Sequence, residues 1–137
     1  MNVLVDTSVW SAILRRKVPN LTATGELQRL MREGRLRMIG PIRQELLSGI
    51  MNPVQFELVR SRLEALPDIV LGTADFEQAA RLFNTCRVNG VQGSSTDFLI
   101  CSVAIRNGLR IFTTDKDFAD FARFLPIQLY VFPLHSA

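Results

Sequence analysis

The strongest constraint on this chain is an alternation along its length: apolar runs of strand length, such as Val3-Leu4-Val5 and Ile111-Phe112-Thr113, separated by stretches with helical periodicity. Strands joined through helices pair in parallel, because the connecting helix carries the chain back to the end of the sheet where it started. The pattern therefore predicts an α/β layered domain around a mostly parallel sheet. Strands are expected at 2–5, 36–39, 69–71, 110–113 and 128–132. Helices are expected at 7–14, from Leu27 to a stop at Gly34, at 41–50 behind Pro41, at 54–65, at 96–107 and at 117–124. Phe76, Ala79, Ala80 and Phe83 mark a further amphipathic stripe.

The 137 residues, 47% of them hydrophobic and 21% charged, suit a single globular domain spanning 1–137. The longest run without Asp, Glu, Lys or Arg is Phe124 to Ala137, interrupted by Pro126 and Pro133, and a membrane span needs about 20 apolar residues. No transmembrane helix is expected. The first residues lack the basic segment of a secretory signal, so a cytoplasmic location is expected. Cys86 and Cys101 lie in apolar helical patterns without metal-ligand spacing and read as core thiols of a reducing compartment. A net charge of +3 and a pI near 9.4 permit a nucleic-acid partner without requiring one. The fourteen arginines against two lysines fit either phosphate recognition or a GC-rich genome.

In parallel sheets, ligands and catalytic groups gather beyond the carboxyl ends of the strands. Four acids belong there. Asp6 follows the first strand, Glu45 lies in the helix after the second, Asp97 opens a helix, and Asp115 follows the strand ending at Thr113. Ten helical steps from Asp97 carry the chain about 15 Å from that edge, and five strand steps from Arg110 return it by about 16 Å. Asp97 and Asp115 should therefore finish together. The helix behind Asp97, rich in Phe98, Leu99, Ile100, Val103 and Ile105, reads as buried on nearly every face. Glu45 borders an apolar stripe and faces either the cleft or the solvent.

Each acid has an ordinary structural role open to it: Asp6 as a helix cap, Asp97, Asp115 and Asp117 as first-turn acids, Glu45 as a surface residue. As a group they repel, and such a cluster is usually kept where a cation neutralises it. Carboxylates without His or Cys select a hard ion, Mg²⁺ or Mn²⁺, of the kind that cleaves phosphodiesters. The lone His135 excludes a histidine acid/base pair. Neither a G-x-x-x-x-G-K-[ST] loop nor a dinucleotide fingerprint is present. The run Asp6-Thr7-Ser8 also lacks the D-x-D of haloacid-dehalogenase phosphatases, and no acidic pair marks a receiver domain.

Asp6-Thr7-Ser8, Glu45 in its Pro-initiated helix, Asp97-Phe98-Leu99-Ile100 and Thr113-Thr114-Asp115-Lys116-Asp117-Phe118, in this order, resemble the PIN-domain nucleases, and among them the VapC-like toxins. The resemblance spans residues 2 to 132. It implies a three-layer α/β/α sandwich with a central, mostly parallel sheet, endoribonuclease activity dependent on Mg²⁺ or Mn²⁺, a homodimer and a partner antitoxin. Asp6, Glu45, Asp97 and Asp115 match the family's catalytic, metal-binding acids, with Glu45 reaching the metal directly or through water; Asp117 matches a less constant fifth acid. Thr113 matches a supporting hydroxyl, and Ser8 is read the same way. Arg15, Arg16, Lys17 and Lys116 are candidate RNA-backbone contacts, with solvated loops as the alternative. A housekeeping PIN nuclease of RNA maturation and a silent PIN-like binding module remain as other readings.

Overall fold

The computed structural model describes residues 1–14 and 21–131. Four strands form one sheet in the order β2-β1-β3-β4: β1 (Val3–Val5), β2 (Leu36–Arg37), β3 (Arg110–Phe112) and β4 (Gln128–Leu129). Every pairing is parallel, with Val3 opposite Leu36 on one side and Arg110 on the other. The helices are α1 (Thr7–Leu14), α2 (Leu21–Arg32), α3 (Gly40–Leu47), α4 (Pro53–Leu63), α5 (Thr73–Val88), α6 (Ser95–Asn107) and α7 (Asp117–Phe121). This is the α/β layered domain with a parallel sheet expected from the alternation, and none of the described helices is long and apolar enough to cross a membrane.

The sheet centre is set by β1, whose three side chains are fully buried. Short polar signals start the helices around it. Asn52 caps α4 by accepting from the backbone N–H groups of Val54 and Gln55, and Pro53 supplies the first helical residue. In α5 the Asp75 carboxylate reaches back to the Gly72 N–H at 2.9 Å. Helix α6 is buried from Phe98 through Ala104, as its composition predicts, and stops at Gly108 in the left-handed conformation (φ 63°). Beneath α6, Phe98, Phe121 and Phe118 pack ring to ring at 4.8 and 5.1 Å between successive centroids.

Two expectations need correction. Residues 69–71 form no strand: a single bridge joins Asp68 to Met38, and Ile69 N–H donates to the Met38 carbonyl at 2.8 Å. Val70 is 90% exposed while Ile69 and Leu71 rest against the core, so the segment packs on the domain without extending the ladder. In α5, the side chains that enter the core are Ala79, Leu82 and Cys86, whereas Phe76 and Ala80 of the predicted stripe are exposed. The helix has a wide apolar arc, and packing on α6 selects a different part of it. The last strand is shorter than expected, and Phe132, its expected end, lies outside the described residues, as does His135.

Candidate active site

Asp6 sits where β1 ends and is only 5% exposed. Its N–H extends the ladder to the Phe112 carbonyl at 2.8 Å. Its carboxylate is held from two sides: Ser8 Oγ donates to Oδ2 at 2.7 Å and Thr113 Oγ1 donates to the same oxygen at 2.8 Å. Both hydroxyls are themselves fixed by backbone, Ser8 Oγ accepting from Thr114 N–H at 3.1 Å and Thr113 Oγ1 from Asp115 N–H at 3.0 Å. With both hydroxyl protons directed at Asp6, the 3.3 Å approach of the two oxygens is a contact rather than a third bond. The capping role open to Asp6 is not the one its side chain takes. Its backbone carbonyl accepts from the Val9 and Trp10 N–H groups of α1 at 3.1 and 3.4 Å.

Asp97 is the third residue of α6 and closes a reciprocal cap: its N–H donates to Ser94 Oγ at 3.1 Å, and its Oδ2 accepts from Ser94 N–H at 3.0 Å. Burial, with added repulsion from Asp6 and Asp115, pushes its carboxyl above the ordinary value, against the smaller opposing pull of the Ser94 bonds. Asp97 thus lies within the field of both Asp6 and Asp115. Asp115 Oδ1 accepts from Asp117 N–H at 2.9 Å, which turns the chain into α7. Asp117 and Lys116 are exposed. Glu45 is exposed on α3, with no hydrogen bond to a described residue. None of these five acids forms an ion pair with a described residue. Arg15, Arg16 and Lys17 lie outside the described residues.

The chemistry of the donors fits a hard divalent cation. They are carboxylate oxygens, and no hydrogen bond from a described residue engages Asp6 Oδ1. Their placement is not that of a closed cage, since among the described residues no three His, Cys, Asp or Glu side chains come close enough to share one ion. The acids meet through their fields. Cys101, one turn further along α6, is buried, and burial together with the charges of Asp97, Cys86 and Asp6 pushes its thiol up, which leaves it unreactive.

Two supporting residues escaped the sequence reading. Ser94 was marked by the Ser94-Ser95-Thr96-Asp97 spacing, a capping-box signature. Gly93 has no such signal: a Cβ there would stand 2.5 Å from the Phe121 ring, so only glycine lets this loop pass over the aromatic cluster and deliver Ser94.

Comparison with known proteins identifies the family and the fold. Residues 3–124 match the family model described as PIN domain. The chain is 34% identical over 130 residues to Ribonuclease VapC11 of Mycobacterium tuberculosis and to VapC ribonuclease Mb1587 of Mycobacterium bovis, covering 92% of this chain and 96% of either relative. Among solved structures, VapBC2 from Rickettsia felis, bound to a DNA fragment from its promoter, superposes with a TM-score of 0.78 at 17% identity, over 95% of this chain and 98% of that one. FitAcB from Neisseria gonorrhoeae gives 0.77 at 20% identity, over 98% and 99%. At such identities the structural likeness speaks for the fold alone.

Proposed function

The chain belongs to the PIN-domain family, among its VapC ribonucleases, and on that premise we propose that it is a divalent-metal-dependent endoribonuclease, the toxin of a bacterial toxin–antitoxin pair acting in the cytoplasm. The observation that carries the reading is Asp6, buried, held by two hydroxyls and near enough to Asp97 to raise its carboxyl, with no ion pair to a described residue. Asp6 Oδ1 would ligate Mg²⁺ or Mn²⁺ directly, and Asp97, Asp115, Glu45 and Asp117 would reach it through its bound waters. When bound, the ion supplies a more acidic water and neutralises charge gathering on the phosphate.

The chain's own residues set the stage for that chemistry. Ser8 and Thr113 hold Asp6 Oδ2, so that Oδ1 points away from them as the available donor. Ser94 keeps Asp97 at the positive end of α6, where the helix dipole favours an ionised carboxylate despite its burial. Lys116, together with Arg15, Arg16 and Lys17, is assigned to the RNA backbone, where its charge would offset that of the acids beside it. Hydrolysis on this pattern leaves a 5′-phosphate and a 3′-hydroxyl.

The toxin assignment draws on the names of the relatives and on one surface feature. A groove of about 510 Å³ between α1 and α2 is floored by Trp10, Ile13, Leu14, Leu27 and Met31 and edged by Arg32 and Arg62. An amphipathic antitoxin helix with acidic flanks would fill it. A homodimer is part of the same proposal.

The deciding experiment incubates the protein with total RNA in Mg²⁺ or Mn²⁺, in EDTA, and as Asp6→Asn. Asparagine keeps an oxygen to accept from Ser8 and Thr113 but removes the charge. Cleavage with metal, none with EDTA and none by the variant is the expected result. Cleavage by Asp6→Asn at the wild-type rate removes Asp6 from the reaction, and with it this reading.

A further inference from the structure

Helix α3 is about two turns long and enters the core along a single line. Its buried side chains are Ile42 and Leu46, four residues apart, and its start at Ile39 carries no side-chain cap. Two buried residues stacked on one line set how far a helix stands from the core but do not fix its roll about that line. Arg43 lies to one side of it. Its guanidinium donates from Nε and Nη2 to the Asp68 carboxylate at 3.1 and 2.7 Å, from Nη1 to the Leu63 carbonyl at 3.0 Å, and from Nη2 also to the Leu66 carbonyl. These acceptors are themselves anchored. Leu63 ends α4 and is fully buried, Asp68 is bridged to Met38, and the neighbouring Ile69 N–H donates to the Met38 carbonyl at 2.8 Å. Arg43 thus ties the roll of α3 to α4 and to the segment that continues β2.

We infer that Arg43 is a positioning residue for the metal site: by fixing the roll of α3 it sets where the Glu45 carboxylate meets the waters around the ion. The inference rests on the metal-dependent reading and adds to it a residue that touches neither ion nor RNA. On the helix, Arg43 and Glu45 stand about 80° to either side of the line through Ile42 and Leu46, so bonds to α4 on one flank present Glu45 on the other. The fold brings that flank to the right end of the sheet. Strand β2 runs parallel beside β1, and α3 starts three residues after β2, at the edge where Asp6 sits. It packs against α1, the helix that follows Asp6. Glu45 has no hydrogen bond to a described residue, so its placement follows from the setting of α3. A side-chain tip lies about 5 Å from the helix axis, so a roll of about 20° displaces the carboxylate by about 2 Å, enough to lose a hydrogen bond to an ion-bound water. An ordinary staple between α3 and α4 would also use Arg43, but it would act without regard to Glu45.

The test titrates Mn²⁺ into the metal-free protein and follows binding by the loss of the free ion's electron paramagnetic resonance signal. It compares the wild type, Glu45→Gln, Arg43→Met and the double variant, with Tm recorded for each. Glu45→Gln should weaken Mn²⁺ binding about tenfold, the usual lower limit for losing a partner beyond the direct ligands. Arg43→Met should weaken it by a similar factor alone and by no further factor in the Glu45→Gln background, while Tm falls equally in both. Arg43→Lys keeps a charge for Asp68 but loses the planar fork, and should restore the affinity only in part. If Arg43→Met does not fold, Asp68→Asn replaces it, since it removes the ion pair and leaves the two carbonyl bonds; a smaller loss that again vanishes in Glu45→Gln is then expected. A loss of affinity equal in both backgrounds overturns the inference, as does a lowered Tm with unchanged Mn²⁺ affinity, because either would make Arg43 a structural staple alone. Glu45→Gln binding Mn²⁺ as the wild type does overturns it too, while leaving the metal reading at Asp6 intact. A wild type that binds no Mn²⁺ overturns the metal reading, and this inference with it.

Discussion

Replacing Thr113 by valine removes two hydrogen bonds without opening a cavity, because the two side chains have the same shape. One lost bond runs from Thr113 Oγ1 to the Asp6 carboxylate at 2.8 Å; the other runs from Asp115 N–H to Oγ1 at 3.0 Å. A bond to a charged acceptor contributes about 1.5–3 kcal/mol and a neutral one about 1 kcal/mol. Thr113 is half-buried, so the lower end applies, and the sum is about 2–3 kcal/mol. For a domain of this length each kcal/mol moves Tm by roughly 3–5 °C, giving a fall of roughly 6–15 °C. Thr113→Ser keeps the oxygen and loses a methyl group, which costs about 1 kcal/mol. Calorimetric melts in EDTA at neutral pH compare the two. Within an Asp6→Asn background the valine substitution should cost about 1 kcal/mol less, since the acceptor is no longer charged. A valine variant as stable as the serine variant, or equal cost in both backgrounds, would refute the idea that this hydroxyl holds Asp6.

Three further outcomes are expected. Asp97 binds its proton more tightly folded than unfolded, so its stabilising contribution is full below the ordinary value of 3.8 and is lost as pH rises through the folded value. In EDTA, the melting temperature of Asp97→Asn relative to wild type should therefore climb as pH increases from 3.8 toward neutrality, and a relative fall would show that the Ser94 bonds outweigh burial. Mn²⁺ should raise the wild-type Tm in proportion to the logarithm of its concentration once that exceeds Kd, and Asp6→Asn should blunt the rise; equal responses would place the ion elsewhere. Gly93→Ala should lower Tm and weaken cleavage together, because the added Cβ meets the buried Phe121 ring; unchanged melting and activity would show that the loop has room to yield.

The acid edge was legible because it follows from two rules, parallel pairing and the placement of residues after strand ends, and both act locally on Asp6, Asp97 and Asp115. Ser8 and Thr113 were readable through their neighbours in the motif. Other features depend on tertiary choices that periodicity does not carry. The apolar arc of α5 is wide enough for Phe76 or Leu82 to face inward, and contact with α6 decides for Leu82. Residues 69–71 have strand-like composition, but Pro67 precedes them and one bridge to Met38 is all the pairing they find. Gly93 is invisible in sequence because its reason is a ring from 28 residues away.

The clasp on Asp6 joins positions 107 residues apart, Asp6 and Thr113. As the chain leaves the ribosome, Asp6 and Ser8 emerge before Thr113, and β1 has an unpaired edge until 110–112 arrive. Until residue 113 follows, the carboxylate lacks its second hydroxyl. A partly synthesised chain thus holds no complete acid edge. The order of the strands delays the assembled edge until Thr113 has joined a segment made 107 residues before it.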